Sequence, residues 1–267
     1  MINPSLLQQV SYIQTIDPQL LRRLQEEISA ITIPWKEEYS EYQTGGWLTL
    51  SLMNNTGNAV DTLITDAEAI PTDLLETMPE MHTFLNGLGL KYMWVRLANM
   101  KPGAGLWEHV DYTDLDEVPR FRLHLPITDV PEAFLIIKGY KIRMKPGYMW
   151  KLDPTRNHAA TNFGSVDRIH LLIDCYVDDH LTRLMEQEML RDDLITPLPS
   201  LPSDTPPASI GTTRDVVERW FQELFFRYNL GEYTTYDLLA EYNDRIGDRE
   251  RAAHWREVKK RFIPKSP

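Results

Sequence analysis

Apolar residues recur along the chain with two periods, and the change of period divides it. In DPQLLRRLQEEISAI (residues 17–31), Leu20, Leu21, Leu24 and Ile28 fall on one face at helical spacing. Asp17 is placed to cap that segment and Pro18 suits its first turn, so an amphipathic helix is predicted. Between Tyr92 and Val177 the pattern changes to short β-type runs: YMWVRLANM, RLHLPI, FLIIKG, YKIRM, GYMWKLD, HAATNF and RIHLLIDCYV. They are separated by KPGAG, TDVPE, KPG, PTRN and GSVD, turn sequences that predict seven strands of an antiparallel sandwich or barrel.

DDHLTRLMEQEMLRDDL then returns to a helical pattern. TPLPSLPSDTPPAS, with five prolines in fourteen residues, can neither continue a helix nor lie inside a sheet and reads as a linker. Beyond it, TTRDVVERWFQELFFRYNLG has a Thr cap, an apolar face of Val217, Trp220, Phe221, Leu224 and Phe225, and a closing Gly231. Leu238, Leu239 and Tyr242, then Trp255, Val258 and Phe262, mark two further helices. The expected organisation is a mainly β domain with an N-terminal helical flank over 1–195, a Pro-rich linker over 196–209 and a helical subdomain over 210–267.

A chain of 267 residues, 42% of them hydrophobic, can bury a sizeable core. Its formal charge of -11 includes no basic stripe, which argues against nucleic acid or an anionic membrane surface and leaves a small molecule as the expected partner. The single cysteine, Cys175, excludes an intramolecular disulfide and a Cys-based zinc site, and its apolar strand places it in the core. MINPSLLQQV lacks the basic-then-apolar pattern of a signal peptide, and no apolar run reaches membrane-spanning length, so the expected location is cytoplasmic.

Chemistry enters at WEHVDYTDLDEV, where His109 and Asp111 lie two positions apart. On an extended segment both point to one face and can grip one ion; alone, the pair reads more readily as a chance histidine in a solvated acidic loop. His158, opening a later strand, decides between them, because two histidines and one carboxylate on barrel walls form the facial triad of non-haem Fe(II) oxygenases. Arg168 follows ten residues later. With a hairpin turn at GSVD, its side chain and that of His158 are expected near the same end of adjacent strands, where a guanidinium can clasp a dicarboxylate.

These residues resemble the Fe(II)/2-oxoglutarate-dependent oxygenases, specifically the aspartyl/asparaginyl β-hydroxylase-like branch that includes bacterial proline cis-hydroxylases. EEYSEYQTGGW (37–47) is similar to the E-Y-x-x-[FY]-x-x-G-x-W entry of the proline hydroxylases, RLHLPI to the R-x-H-L strand, and PGYMWKLD to the G-E-[IM]-W-x-L-D turn and strand. HAATNF followed by Arg168 resembles the family's distal histidine and co-substrate arginine.

The resemblance implies a double-stranded β-helix (jelly roll, cupin-like) binding Fe(II) through His109, Asp111 and His158, with 2-oxoglutarate as co-substrate and O2 as oxidant. It implies that Arg168 and His124 hold 2-oxoglutarate, while Arg122, Arg96 and Trp47 face the substrate. Period two puts Arg122 and His124 on one strand face, which fits a shared pocket. Departures from the family, GYMW for GEIW and HVD for HRD, leave the ligands intact and alter their surroundings.

Asp114, Asp116 and Glu117 form either a substrate-gating or a simply solvated loop. His170 alternates onto the face of Arg168 and is read as structural, and His82, His180 and His254 have no comparable setting. Retention of Asp111 favours hydroxylation over halogenation. The expected reaction is hydroxylation of a free L-amino acid, proline or another small one, for secondary metabolism, with succinate and CO2 as co-products. The alternatives are hydroxylation of a residue in a peptide or carrier-bound substrate, and a non-catalytic metal-binding jelly roll. The helical tail either makes a homodimer contact or covers the barrel.

Overall fold

The computed structural model describes residues 4–37, 43–111, 118–202 and 213–264. In chain order the elements are α1 (Pro4–Gln9), β1 (Val10–Thr15), α2 (Pro18–Ser29), β2 (Lys36–Glu37), β3 (Trp47–Asn54), β4 (Ile70–Pro71), α3 (Asp73–Glu76), α4 (Pro79–Leu88), β5 (Tyr92–Met100), β6 (Gly105–His109) and β7 (Arg120–Pro126). There follow β8 (Ala133–Ile137), β9 (Tyr140–Ile142), β10 (Tyr148–Leu152), β11 (His158–Asn162), β12 (Arg168–Tyr176), α5 (Asp179–Met185), β13 (Ile195–Pro197), α6 (Arg214–Arg227), α7 (Thr235–Arg245) and α8 (Arg249–Phe262).

Strands β5 to β12 divide between two antiparallel sheets. β5, β7, β10 and β12 lie in the larger, ordered β1-β10-β7-β12-β5-β3-β2, and β6, β8, β9 and β11 in the smaller, ordered β13-β9-β8-β11-β6. Apart from the β8-β9 hairpin, consecutive strands alternate between two facing sheets, which is a double-stranded β-helix, as expected. The expected helical flanks are present at both ends.

Period two sorts each strand into an outer and an inner face. On the larger sheet, Leu50, Leu52, Val95, Leu97, Leu123, Leu125, Leu171 and Ile173 point outward and join Leu24 and Ile28 of α2, Leu75 of α3 and Met81 and Leu85 of α4 in one apolar cluster. Cys175 belongs to it. Asp17 caps α2 by accepting from Gln19 N and Leu20 N, both at 2.9 Å, and Pro18 opens the helix. On the smaller sheet, Ile136 and Ala159 point outward against Val217, Phe221, Leu224, Phe225, Leu239 and Trp255 of the C-terminal helices. Gly105 lets α6 approach β6 closely, since a Cβ there would lie 3.2 Å from the Phe226 ring, a tight contact.

Several local expectations differ from the fold. KPGAG, expected as a turn, lends its last residue to β6. The helix expected over 178–194 stops at Met185, and Met189 then pairs with Tyr12. Residues 195–197, at the edge of the expected linker, are strand β13 paired with β9; residues 203–212 lie outside the described part. The GSVD turn does not close a hairpin: it crosses from β11 in the smaller sheet to β12 in the larger, so those strands face each other instead of pairing.

Candidate functional site

The site begins with an irregularity in β6. His109 pairs with His158 and Leu106 with Ala160, so Trp107 and Glu108 together oppose Ala159 alone. This extra residue is a β-bulge, which breaks the in-out alternation. Leu106 therefore enters the apolar cluster between the sheets and His109 also turns inward, although the two are three positions apart. Trp107 packs outward on the C-terminal helices, and Glu108 also turns that way to bond with Thr235 of α7.

His109 Nδ1 lies 2.6 Å from the Trp107 carbonyl oxygen, and His158 Nδ1 lies 2.7 Å from that of Arg156. A carbonyl only accepts, so each Nδ1 carries a proton and each Nε2 is the ring atom turned toward Asp111. The two Nε2 atoms lie 3.5 Å and 3.6 Å from the Asp111 carboxylate oxygens, and one ligand atom from each residue falls within 4.8 Å of the others. All three residues are buried. Two imidazole lone pairs and a carboxylate on one side of a point are a donor set suited to Fe(II) with positions left open.

The electrostatics keep these groups ready for a cation. Burial alone would raise Asp111, but the Arg122 guanidinium and the neighbouring imidazoles prevail and hold it well below the usual carboxylate range. Burial, with His109 beside it, lowers His158 to about 4, so it is neutral at physiological pH.

Facing the triad, the inner face of the larger sheet is arranged in rows. Arg122, Asp174 and Trp94 make the row nearest Asp111; His124, Leu172 and Arg96 the next; Pro126, His170 and Ala98 the third; and Arg168, Met100 and Trp47 the last. Arg122 donates from Nε to Asp174 Oδ1 at 2.9 Å, from Nη2 to Oδ2 at 3.2 Å and from Nη1 to Asp111 Oδ2. Its guanidinium is thus held between two carboxylates, one of them in the triad.

Neither ring nitrogen of His124, nor Nδ1 of His170, has a hydrogen-bond partner among the described residues. The two rings meet edge to face at 5.8 Å between centroids. Burial, with the nearby arginine charges, holds both imidazoles well below their ordinary range and therefore neutral. Burial lowers Arg168 to about 10, which leaves it a cation at neutral pH.

Arg96 stacks on Trp94, 3.6 Å from the ring centroid, and is buried. Trp47 packs among Ala98, Met100, Ala104, Leu106, Ala160 and Leu172, in the Arg168 row and far from the triad row.

The structure thus brings His109, Asp111, His158 and Arg122 together, with His124, His170, Arg168 and Arg96 on the facing sheet, Arg96 in the His124 row, and Trp47 in its apolar part. Residues 38–42 of the entry motif and 112–117 of the acidic loop lie outside the described part. Sequence reasoning passed over Arg120, which donates to the Val118 carbonyl at 3.2 Å and reaches the Asp111 carbonyl, and Asp174. Both were within reach of the period-two rule, as Arg120-Arg122-His124 and Arg168-His170-Leu172-Asp174. It also passed over Glu108 and Asn157, each beside a triad histidine in sequence and joined by a hydrogen bond.

Residues 11–177 match the aspartyl/asparaginyl β-hydroxylase family. L-proline cis-3-hydroxylase 2 of a Streptomyces species is 31% identical over 236 residues, covering 80% of each chain. L-proline cis-4-hydroxylase of Rhizobium meliloti (strain 1021) is 27% identical over 244 residues, covering 85% of this chain and 86% of that one. L-proline cis-3-hydroxylase 1 of a Streptomyces species is 34% identical over 155 residues, 55% of this chain and 53% of that one.

Proposed function

The chain belongs to the aspartyl/asparaginyl β-hydroxylase family, and from that premise we propose that it is a 2-oxoglutarate-dependent dioxygenase that hydroxylates a free L-amino acid, proline or another small one. The observation that carries this reading is the pairing of a His109-Asp111-His158 donor set with a cationic wall. Among the described residues that wall bears Arg96, Arg120, Arg122 and Arg168 against Asp111 and Asp174, an excess of two positive charges before any metal binds. A dicarboxylate and a monocarboxylate suit it.

His109 Nε2, Asp111 and His158 Nε2 hold the metal. Bound there, Fe(II) supplies with 2-oxoglutarate and O2 the oxidising power that inserts a hydroxyl into a C–H bond, leaving succinate and CO2. Arg168 clasps the distal carboxylate of 2-oxoglutarate as a bidentate donor. His124, neutral and without a protein partner, offers that carboxylate a further N–H. Arg122, engaged by Asp111 and Asp174, orients the metal-binding carboxylate, and Arg96, stacked on Trp94 in the His124 row, offers a second guanidinium to the substrate carboxylate. The apolar cluster around Trp47, Met100 and Leu172 excludes water from the remaining wall. The relatives named as proline hydroxylases support an amino acid as substrate.

The test supplies iron, ascorbate and 2-oxoglutarate in air to each proteinogenic amino acid, with mass spectrometry for a gain of one oxygen and an assay for succinate. A +O product from proline or another small amino acid is expected. Turnover confined to peptide or carrier-bound amino acids replaces the substrate, and absence of succinate and product under all conditions removes the enzymatic reading. Arg168→Ala should raise the KM for 2-oxoglutarate by about tenfold or more, the loss of one charged hydrogen-bonded contact, with metal binding retained.

A further inference from the structure

The bulge in β6 leaves Glu108 as a fully buried carboxylate immediately before a metal ligand, outside the space where the chemistry takes place. One of its oxygens accepts from Asn157 Nδ2, and Asn157 directly precedes His158. The other accepts from Thr235 N at 2.8 Å and Thr235 Oγ1 at 2.9 Å, at the start of α7. The next residue of α7, Tyr236, donates its hydroxyl to the Glu108 carbonyl at 2.7 Å, and Val110 N donates to the Phe262 carbonyl at the end of α8 at 2.8 Å. The residues on both sides of His109 are thus tied to the C-terminal helices, and the Glu108 side chain bridges those helices to the turn that delivers His158.

We propose that Glu108 is a positioning residue for the metal centre, through which the C-terminal helices hold the His109 and His158 strands in ligating register. This rests on the metal-binding reading above. The reason is geometric: His109 and His158 converge from two strands, and a bulge loosens the ladder at the place where their separation matters. Three hydrogen bonds on one buried carboxylate replace the lost register. A structural role in packing alone is already filled by the aromatic and aliphatic side chains of the same helices, so a buried side chain that makes three hydrogen bonds there has a positional role.

The test measures anaerobic Co(II) binding to the metal-free full chain, by titration and by the visible d–d spectrum, which reports ligand geometry. Glu108→Ala is expected to weaken Co(II) by about 10–100-fold, the usual effect of removing a group that orients ligands, and to change the spectrum. Glu108→Gln keeps an acceptor for Thr235 and offers an amide donor to Asn157, whose Oδ1 has no other partner among the described residues. It should therefore bind within about threefold of the parent chain.

Wild-type affinity and spectrum in folded Glu108→Ala overturn the proposal, as does Glu108→Gln binding as weakly as Glu108→Ala. If Glu108→Ala does not fold, Thr235→Val and Asn157→Ala replace it, and parental affinity in both overturns the proposal equally. Failure of the unaltered chain to bind Co(II) is a separate result, removing the metal centre itself and this inference with it.

Discussion

The two helical layers cover the two sheets by different means. α2 and α4 lie on the larger sheet through aliphatic side chains such as Leu24, Ile28, Met81 and Leu85. Their polar contacts, such as Gln25 Nε2 to the Ile127 carbonyl or Glu27 accepting from Glu80 N and Met81 N, reach no residue beside a triad member among the described residues. The C-terminal helices also bury an apolar face, but Thr235, Tyr236 and Phe262 bond to residues flanking His109. One layer contributes transfer free energy, which has no direction; the other adds directional bonds, which can transmit position. Damage to the first should lower global stability and spare the site, whereas damage to the second should reach the ligands.

The strongest test of that difference is Leu24→Ala, at a side chain with no solvent exposure. Truncating a fully buried leucine costs about 2–5 kcal/mol, transfer and cavity terms together. Urea denaturation should show that loss, while the folded protein keeps its Co(II) affinity. A parallel fall in affinity would erase the distinction between the layers.

Acid probes the same contrast through opposing slopes. His124, His158 and His170, between the sheets, have folded pKa values below the ordinary 6.5, His158 at about 4. Below pH 6.5 the unfolded chain therefore binds protons that the folded one refuses, and the metal-free protein loses stability as pH falls. Glu108 belongs to the C-terminal attachment and works the other way. Burial raises it from 4.5 to about 7 against its hydrogen bonds, so its contribution is lost as pH rises through that range.

Three groups outweigh one, and melting temperatures of chelator-treated protein should fall from pH 6.5 to 4.5. Asp111 titrates below this window. Glu108→Gln removes the opposing group, steepening the loss by up to about 1.4 kcal/mol per pH unit. A melting temperature that rises on acidification would show that the histidines do not dominate.

The triad was legible in the sequence because its residue types, order and strand setting all point to one donor set, and period two alone places Arg122 beside His124. The attachment behind the triad was not. Strict alternation puts Glu108 on the face opposite His109 and puts Leu106 there with it; only the bulge sends Leu106 and His109 the same way. Two residues opposing one leave no mark in GLWEH.

β3 was legible but passed over: in WLTLSLMN, Leu48, Leu50 and Leu52 alternate with Thr49 and Ser51, the period-two pattern of a strand. The GSVD turn has the length and composition of a hairpin, and whether such a turn pairs its strands or passes between sheets depends on partners distant in the chain. The fold class was carried by many short strands, which tolerate such errors; the course of one connection was not.

The smallest expected effect gives the most even comparison, because it applies one perturbation to both layers. Asp17 caps α2 and Thr234 caps α7, the latter in a reciprocal box in which Asp237 Oδ2 accepts from Thr234 N at 2.9 Å and Thr234 Oγ1 accepts from Asp237 N at 3.2 Å. Replacing either cap by alanine costs about 1 kcal/mol, so Asp17→Ala and Thr234→Ala should lower the urea midpoint by similar amounts. Their effects on the metal should differ. The first turn of α7 is where Thr235 meets Glu108, and loosening it should weaken Co(II) severalfold, whereas among the described residues the cap of α2 bonds only within its own first turn. Equal Co(II) affinities in the two variants, at equal stability loss, would mean that the hold on Glu108 survives fraying of α7, and that the layers differ in composition without differing in what they do for the site.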